Sequence, residues 1–459
     1  MELDKIKQRK TNHTIVAIIV FIATTVILWS AWEETQPLMV ICRPELRIPA
    51  LNRYFGGLDQ KAIWAAAEQS RKDLAQNDTS SSLVLNSPKS AAARASSGGK
   101  CDFTRGRWVM DDKSRPLYDG TKCKAYLSSM WACRETNRSD FEYEKLRWQP
   151  DGCDLPAFSS HKFLERLENK VLAFVGDSLG RQQFQSLMCM LTEGEGPDEV
   201  VEDVVANWNL STLHGRNLGY AYRFERTNTT VVFVWSATLA FIELNRTDEE
   251  DGWSALHIDQ PDVFLRDRIQ DLDLLILNSG HHWNRLKFSD NKWHMYMNGQ
   301  PIPEAHRLYS MPRAYNYTMH KQVKFLDAKL TQTGGKPTVF MRSLSPRHFK
   351  NGDWNTGGTC DNNRQEVDRN VNNKGPLIDR VMNNVGRSSK RIHLLDIIPL
   401  SSTREEGHIS KYGSGRDSGH QDCLHWCLPG VPDTWNELMY GYLATDSSLA
   451  APSFAGSRG

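Results

Sequence analysis

The hydrophobic pattern divides the chain into regimes. Thr14–Trp32, "TIVAIIVFIATTVILWSAW", is an apolar run without a charge. At 1.5 Å per residue a helix over it spans roughly 28 Å, about one hydrocarbon thickness. Residues 79–99, "TSSSLVLNSPKSAAARASSGG", lack an apolar period and have the Ser/Ala/Gly composition of a flexible stem. Residues 101–155 are rich in Cys, Trp and turn formers, which predicts a small disulfide-tied unit. From about residue 165 the pattern alternates. Lys170–Val175, Thr230–Trp235, Leu272–Asn278, Thr338–Arg342 and His393–Ile397 are apolar runs of strand length. Helical spacing follows the first run (Leu179, Phe184, Leu187, Met188, Leu191) and recurs over Met319–Leu330 and near Pro376–Met382. Strands apolar throughout and separated by helices predict a three-layer α/β domain with a parallel sheet. In such sheets reactive groups gather at the carboxyl ends of the strands.

Charge sets the orientation of the N-terminal run. Lys5, Lys7, Arg9 and Lys10 precede it, and Trp29 and Trp32 stand at its far end. The positive-inside rule leaves the rest of the chain in the lumen, as in a single-pass type II signal anchor. A cleaved signal peptide is the other reading; the length of the run and its Trp-rich flank speak against it. The expected organisation is a cytosolic tail at 1–13, a membrane helix at 14–32 and a lumenal stem at 33–99. A catalytic domain at 100–444 follows, with its Cys/Trp-rich subdomain at 100–160, and then a disordered tail at 445–459. Asn77, Asn137, Asn209, Asn228, Asn245 and Asn316 head N-x-S/T glycan acceptor sequences. Cys42 stands apart, and eight further cysteines lie beyond the stem, an even number suited to four disulfides in an oxidising compartment. With 56 basic and 55 acidic residues the net charge is +1, which gives no field for nucleic acid. The 14 tryptophans fit either a core or sugar-stacking surfaces.

The candidate chemistry begins at "KVLAFVGDSLGRQQFQSLMCML", Lys170–Leu191, where a strand runs into Gly176-Asp177-Ser178 and then a helix. A serine there is presented at the sheet edge, and its backbone N–H at the helix start can hold an oxyanion. The plainer reading is that Asp177 or Ser178 caps the helix. A nucleophilic serine needs an oriented base. "HQDCLHWCLPG", His420–Gly430, offers Asp422 and His425, a spacing at which the carboxylate meets Nδ1 and leaves Nε2 for Ser178. Zinc held by His420, Cys423, His425 and Cys427 is a competing reading. No other metal signature and no nucleotide-binding glycine loop is present.

Six blocks resemble the plant trichome birefringence-like family, relatives of the GDSL/SGNH esterases. They are "CDFTRGRWVMDDKSRPLY", "SDFEYEKLRWQPDGCDLPAF", "FVGDSLGRQQFQSLMC", "LNSGHHW", "SPRHFKNGDWNTGGTC" and "DCLHWCLPGVPDTWNELMY", in the family's order between Cys101 and Tyr440. The resemblance implies an SGNH-hydrolase-like domain in Golgi type II enzymes that O-acetylate cell-wall polysaccharides. It makes Ser178 the nucleophile, His425 the base and Asp422 its orienter, with the Ser178 N–H as oxyanion donor and Asn278 as candidate side-chain donor. It implies disulfides Cys101–Cys153, Cys123–Cys189, Cys133–Cys427 and Cys360–Cys423. Departures are Arg181-Gln182-Gln183 for Arg-Asn-Gln, Ser279-Gly280-His281-His282-Trp283 for a TGHWW-like block, a segment Val234–Leu244 without Pro-Phe, and a short glycine-rich stretch before Asp422.

The reading that results is acetyl transfer through an acetyl-serine to a matrix polysaccharide, xylan first, with mannan, xyloglucan or pectin as alternatives. Rival readings are an acetyl-esterase with the same triad and a wall-polysaccharide binding protein that bridges pectin. No cofactor is expected to reside in the protein. The donor is acetyl-CoA or a carrier supplied through a membrane transporter, and the partners are the Golgi membrane and the acceptor glycan. Arg181 is a substrate-binding cation or a surface charge, and Trp426 stacks on sugar or walls the site. His408 resembles a family histidine near the acceptor groove. His281 and His282 read as structural, and Trp283, Trp354 and Trp435 as packing.

Overall fold

The computed structural model describes residues 101–192, 201–210, 218–244, 252–360, 377–413 and 420–445. The expected membrane run, stem, C-terminal tail, Cys42, Asn77 and Asn245 lie outside them. Among the described residues no helix is long and apolar enough to cross a membrane.

In chain order the strands are β1 (Gly106–Met110), β2 (Leu146–Pro150), β3 (Val171–Gly176), β4 (Val201–Asp203), β5 (Gly219–Phe224), β6 (Thr229–Trp235), β7 (Ala240–Leu244), β8 (Ser254–Pro261), β9 (Leu274–Leu277), β10 (Trp293–Met297), β11 (Gln300–Pro301), β12 (Thr338–Arg342), β13 (Ile392–Leu395), β14 (His408–Ser410) and β15 (Asp422–Trp426). The helices are α1 (Ser160–Arg166), α2 (Ser178–Thr192), α3 (Val263–Arg268), α4 (Arg285–Asp290), α5 (Met311–Gln332), α6 (Leu377–Gly386), α7 (Ile398–Ser401) and α8 (Val431–Thr445).

The central sheet has the order β13-β12-β9-β3-β6-β5-β4. Its first five strands are mutually parallel, whereas β5 runs antiparallel to both β6 and β4. The expected parallel sheet is therefore a mixed one. The reason lies in "GYAYRF", whose residues alternate between buried and half-buried. A strand of that kind pairs through a short turn, here Glu225–Asn228, instead of a helical crossover. A second sheet, β11-β10-β8-β7, was also absent from the periodicity reading.

Alternation within β3 divides the core. Ala173 and Val175 join one cluster, with Met319, Val323 and Leu326 of α5 and Val381, Met382 and Val385 of α6. Leu172 and Phe174 join the other, with Phe184 and Leu187 of α2 and Trp435, Leu438 and Met439 of α8. These are the three layers. Chain order places β6 on one side of β3 and β9 on the other, so the topology switches direction at β3. The crevice at such a switch is where α/β sheets bind ligands, and Ser178 follows β3 directly.

All four implied disulfides are present, Cys101–Cys153, Cys123–Cys189, Cys133–Cys427 and Cys360–Cys423. With Cys423 and Cys427 so bonded, the zinc reading loses its two thiolates. Of the sequon asparagines, Asn137, Asn209, Asn228 and Asn316 are exposed.

Buried carboxylates tie the helical layer together. Asp433 accepts hydrogen bonds from Ser186 Oγ of α2 (2.6 Å), Tyr118 Oη (3.0 Å) and the Gly430 N–H (2.8 Å). Burial nevertheless pushes its pKa up, from an ordinary 3.8 to about 7. Between these values the folded chain holds a proton that the unfolded chain has released. Stability from this group is thus full below about pH 4 and is lost as pH rises through about 7. The loss is of the order of 4 kcal/mol. Urea unfolding at about pH 4 and about pH 8 should show Asp433→Asn flattening this dependence, relative to the parent chain.

Candidate active site

The strand–helix corner is built around one amide. Asn278, just after β9, packs its Oδ1 so closely on the corner that an added Cβ would lie 1.9 Å from it at Gly176 and 2.1 Å at Gly180. Only glycine fits at either position. Asn278 Nδ2 donates to Asp177 Oδ1 at 2.6 Å, and the Leu179 N–H donates to the same oxygen at 3.0 Å. Asp177 therefore caps α2, and the capping reading holds for Asp177. Ser178 is half-buried and does something else. Its N–H opens the helix and has no intrahelical acceptor. Asn278 spends one amide proton on Asp177 and keeps the other.

Ser178 Oγ stands 2.7 Å from His425 Nε2, across 247 residues of sequence. His425 Nδ1 faces Asp422 Oδ2 at 2.9 Å. Asp422 is fixed in turn by the N–H groups of Leu424 and His425, which donate to its Oδ1 at 3.2 and 3.0 Å. A carboxylate at Nδ1 selects the tautomer with its proton there, so Nε2 accepts from the serine hydroxyl.

Strand β15, which carries both groups, is held on every side. The disulfides Cys360–Cys423 and Cys133–Cys427 attach it at both ends. Gln182, fully buried one turn beyond Ser178, grips the main chain of Trp426: its Nε2 donates to the carbonyl at 2.6 Å and its Oε1 accepts from the N–H at 3.2 Å. Trp131, from the cysteine-rich subdomain, stacks on His425 with ring centroids 5.9 Å apart and a 24° interplanar angle. The Arg181 guanidinium lies 4.7 Å above the Trp131 ring, and burial holds its pKa below the ordinary arginine value. A tryptophan so placed had no distinguishing signal in "SSMWACRE".

Two candidate substrate contacts are corrected. Trp426 is fully buried, its Nε1 donates to Ser345 Oγ at 2.9 Å, and its ring stacks on His408 at 3.9 Å. His408 is equally buried, between the His425 carbonyl (3.0 Å from Nδ1) and His348 Nδ1 (2.7 Å from Nε2). Both support β15 from beneath, and no sugar reaches either. Trp283 and Trp435 are buried as expected, but Trp354 is 40% exposed, so the packing expectation fails there. His281 Nε2 lies 3.0 Å from the Ser345 carbonyl, and burial lowers its pKa to about 3, so it remains neutral. Arg342, behind α2, is buried and donates to the Leu179 carbonyl; burial pulls it down to about 10. Among the described residues no cluster of His, Cys, Asp and Glu fits a metal ion.

Residues 155–442 match the PC-esterase family, the GDSL/SGNH-like acyl-esterases found in Pmr5 and Cas1p. Residues 99–154 match the PMR5 N-terminal domain. The chain is 46% identical to protein trichome birefringence-like 14 of Arabidopsis thaliana over 358 residues, 74% of this chain and 86% of that protein. It is 41% identical to Arabidopsis protein trichome birefringence-like 15, over 75% of this chain and 70% of that one. Xylan O-acetyltransferase 12 of Oryza sativa subsp. japonica is 30% identical over 411 residues, 84% of this chain and 78% of that protein.

Gln182 fixes the distance between the helix bearing Ser178 and the strand bearing His425. Gln182→Ala should leave the buried N–H and carbonyl of Trp426 unpaired, at roughly 1–3 kcal/mol for each group. Chemical denaturation checks that cost. A fall in turnover larger than the change in KM checks the displaced His425.

Proposed function

The chain belongs to the PC-esterase family, in its trichome birefringence-like branch, and on that premise we propose that it is a polysaccharide O-acetyltransferase acting in the Golgi lumen. The observation that carries the reading is the relay of hydrogen bonds, Ser178 to His425 to Asp422, at 2.7 and 2.9 Å. The name of the rice relative favours xylan as acceptor. Mannan, xyloglucan and pectin are the other acceptors to be tried. Four disulfides and exposed sequon asparagines suit a lumenal domain behind a type II anchor.

The reaction runs in two displacements. Ser178 Oγ attacks the acetyl carbonyl of the donor while His425 Nε2 takes the hydroxyl proton. The tetrahedral oxyanion is held by the Ser178 N–H and the second amide proton of Asn278. The donor's leaving group departs with the proton from His425, and acetyl-Ser178 remains. A sugar hydroxyl enters next, His425 removes its proton, and the ester passes to the sugar as Ser178 recovers its hydrogen. Asp422 stabilises the imidazolium in both steps without itself taking the proton.

The full-length chain in detergent, given an activated acetyl ester and a panel of xylan, mannan, xyloglucan and pectin oligomers, should add acetyl ester to at least one oligomer. Ser178→Ala should lower that transfer by about a thousandfold or more and abolish the acetyl adduct on the Ser178 peptide. Release of free acetate with no ester gained by any oligomer would make the chain an esterase. Transfer by Ser178→Ala at the parent rate would remove the acyl-serine.

A further inference from the structure

Two tryptophans near the site, Trp235 and Trp354, are exposed, where burial would be the ordinary fate of so large an apolar group. Trp235, the last residue of β6, pairs in register with Gly176, so it stands beside the strand end that presents Ser178. It is 37% exposed. Its ring meets the His282 imidazole edge-on at 5.7 Å. His282 is half-buried, and its Nδ1 is a buried polar atom without a hydrogen-bond partner. This histidine is also one of the departures from the family's TGHWW-like block.

Asn284, two residues after His282, caps α4, and Lys287 lies on that short helix. Burial lowers the His282 pKa, with the Asp177 charge opposing that shift and the Lys287 charge adding to it. Lys287 Nζ lies 4.8 Å from the ring centroid of Trp354. Trp354 does not dangle. It sits on a turn closed by paired main-chain bonds between Lys350 and Thr359 (2.8 and 2.9 Å) and by the Gly358 N–H to the Asp353 carbonyl (3.0 Å). Gly352 and Gly358 touch so closely that a Cβ on Gly358 would lie 2.7 Å from the Gly352 carbonyl carbon. Cys360, which follows Thr359 at the end of this turn, is bonded to Cys423, one residue from Asp422. A rigid turn, tied covalently to the catalytic strand, thus holds an indole out in water.

We propose that Trp235, His282, Lys287 and Trp354 line the acceptor groove, in which the two indoles stack on pyranose rings of a glycan chain whose reacting hydroxyl reaches Ser178. The assignment rests on the acetyl-transfer reading. Indole faces are electron-rich and complement the C–H face of a sugar ring. Lys287 Nζ supplies one of the few polar contacts that orient a ligand in such a groove. Trp235, beside the nucleophile, serves the sugar that is acetylated; Trp354, beyond Lys287, serves a sugar further along the chain.

The experiment uses the full-length chain and whichever oligomer accepts acetyl in the panel above, as a disaccharide and as a hexamer. Trp354→Ala should raise KM for the hexamer about tenfold or more and change KM for the disaccharide much less, with kcat nearly constant. Trp235→Ala should raise both, and Trp354→Tyr should restore most of the hexamer affinity. Equal KM values in the parent and both alanine variants would overturn the groove, as would a rise after Trp354→Ala that is the same for both lengths. Should an alanine variant fail to fold, the parent chain and Ser178→Ala answer the question. The hexamer should protect Trp235 and Trp354 from oxidation by N-bromosuccinimide, read by peptide mass spectrometry. Absent protection in the folded Ser178→Ala chain sinks the groove alone; persistent transfer by that chain sinks the acyl-serine alone.

Discussion

The constraint on which the structure depends is the docking of β15 against the first turns of α2. Ser178 and His425 come together across 247 residues, and a 2.7 Å contact tolerates little error. Loop-closure entropy opposes such a contact but grows only slowly with length. What the fold must supply is rigidity at the point of contact. Three independent devices do this: two disulfides at the ends of β15, the Gln182 amide on Trp426, and the Trp131 ring on His425. The cysteine-rich subdomain contributes to two of them, through Cys133 and Trp131. It is thus part of the catalytic framework as much as a neighbour of it.

Beneath the site lies a polar core that is only partly satisfied, with Asp177 Oδ2, Gln183 Nε2 and Arg342 Nε buried and without a hydrogen-bond partner. Asn278 joins the end of β9 to the corner after β3 through Asp177, and Arg342 of β12 donates to the Leu179 carbonyl and to Gln183. Three adjacent parallel strands therefore address the same helix start. Polar groups in a low-dielectric interior are costly when unpaired and directional when paired. A network of this kind favours one arrangement of the corner over its neighbours. The glycines at 176 and 180 are the steric side of the same design, since they admit the Asn278 side chain.

Much of this was legible in the chain. The central parallel strands showed as continuous apolar runs because both faces of each are covered, as with Leu172 and Phe174 against Ala173 and Val175. Asp422 and His425 were legible as a carboxylate and an imidazole three apart, although the contact is made on β15, where an irregularity opposite β14 and the Leu424 and His425 N–H bonds to Asp422 Oδ1 bring the carboxylate to Nδ1. The edge strands and the second sheet were not, because their residues alternate and carry polar side chains that a search for apolar runs passes over. Trp426 and His408 were misread for a related reason. Aromatic and imidazole groups beside a catalytic residue look alike in sequence whether they face substrate or support the strand from behind. Trp131, Gln182 and Trp235 had no local signal, since their roles exist only through partners distant in sequence.

The parts of the site that hold its geometry are distinct from the parts at its rim. Ser178, Asp422 and His425 are tied to disulfides, buried amides and packed rings, so altering their surroundings disturbs the fold. Trp235 and Trp354 on the neighbouring surface are exposed, while His282 and Lys287 between them are half-buried. Substitution there costs little stability, as surface changes generally do. The Ser178–His425–Asp422 geometry can therefore be kept while the exposed rim around it changes. His282 lies between the exposed Trp235 indole and the core, with its Nδ1 buried and without a hydrogen-bond partner.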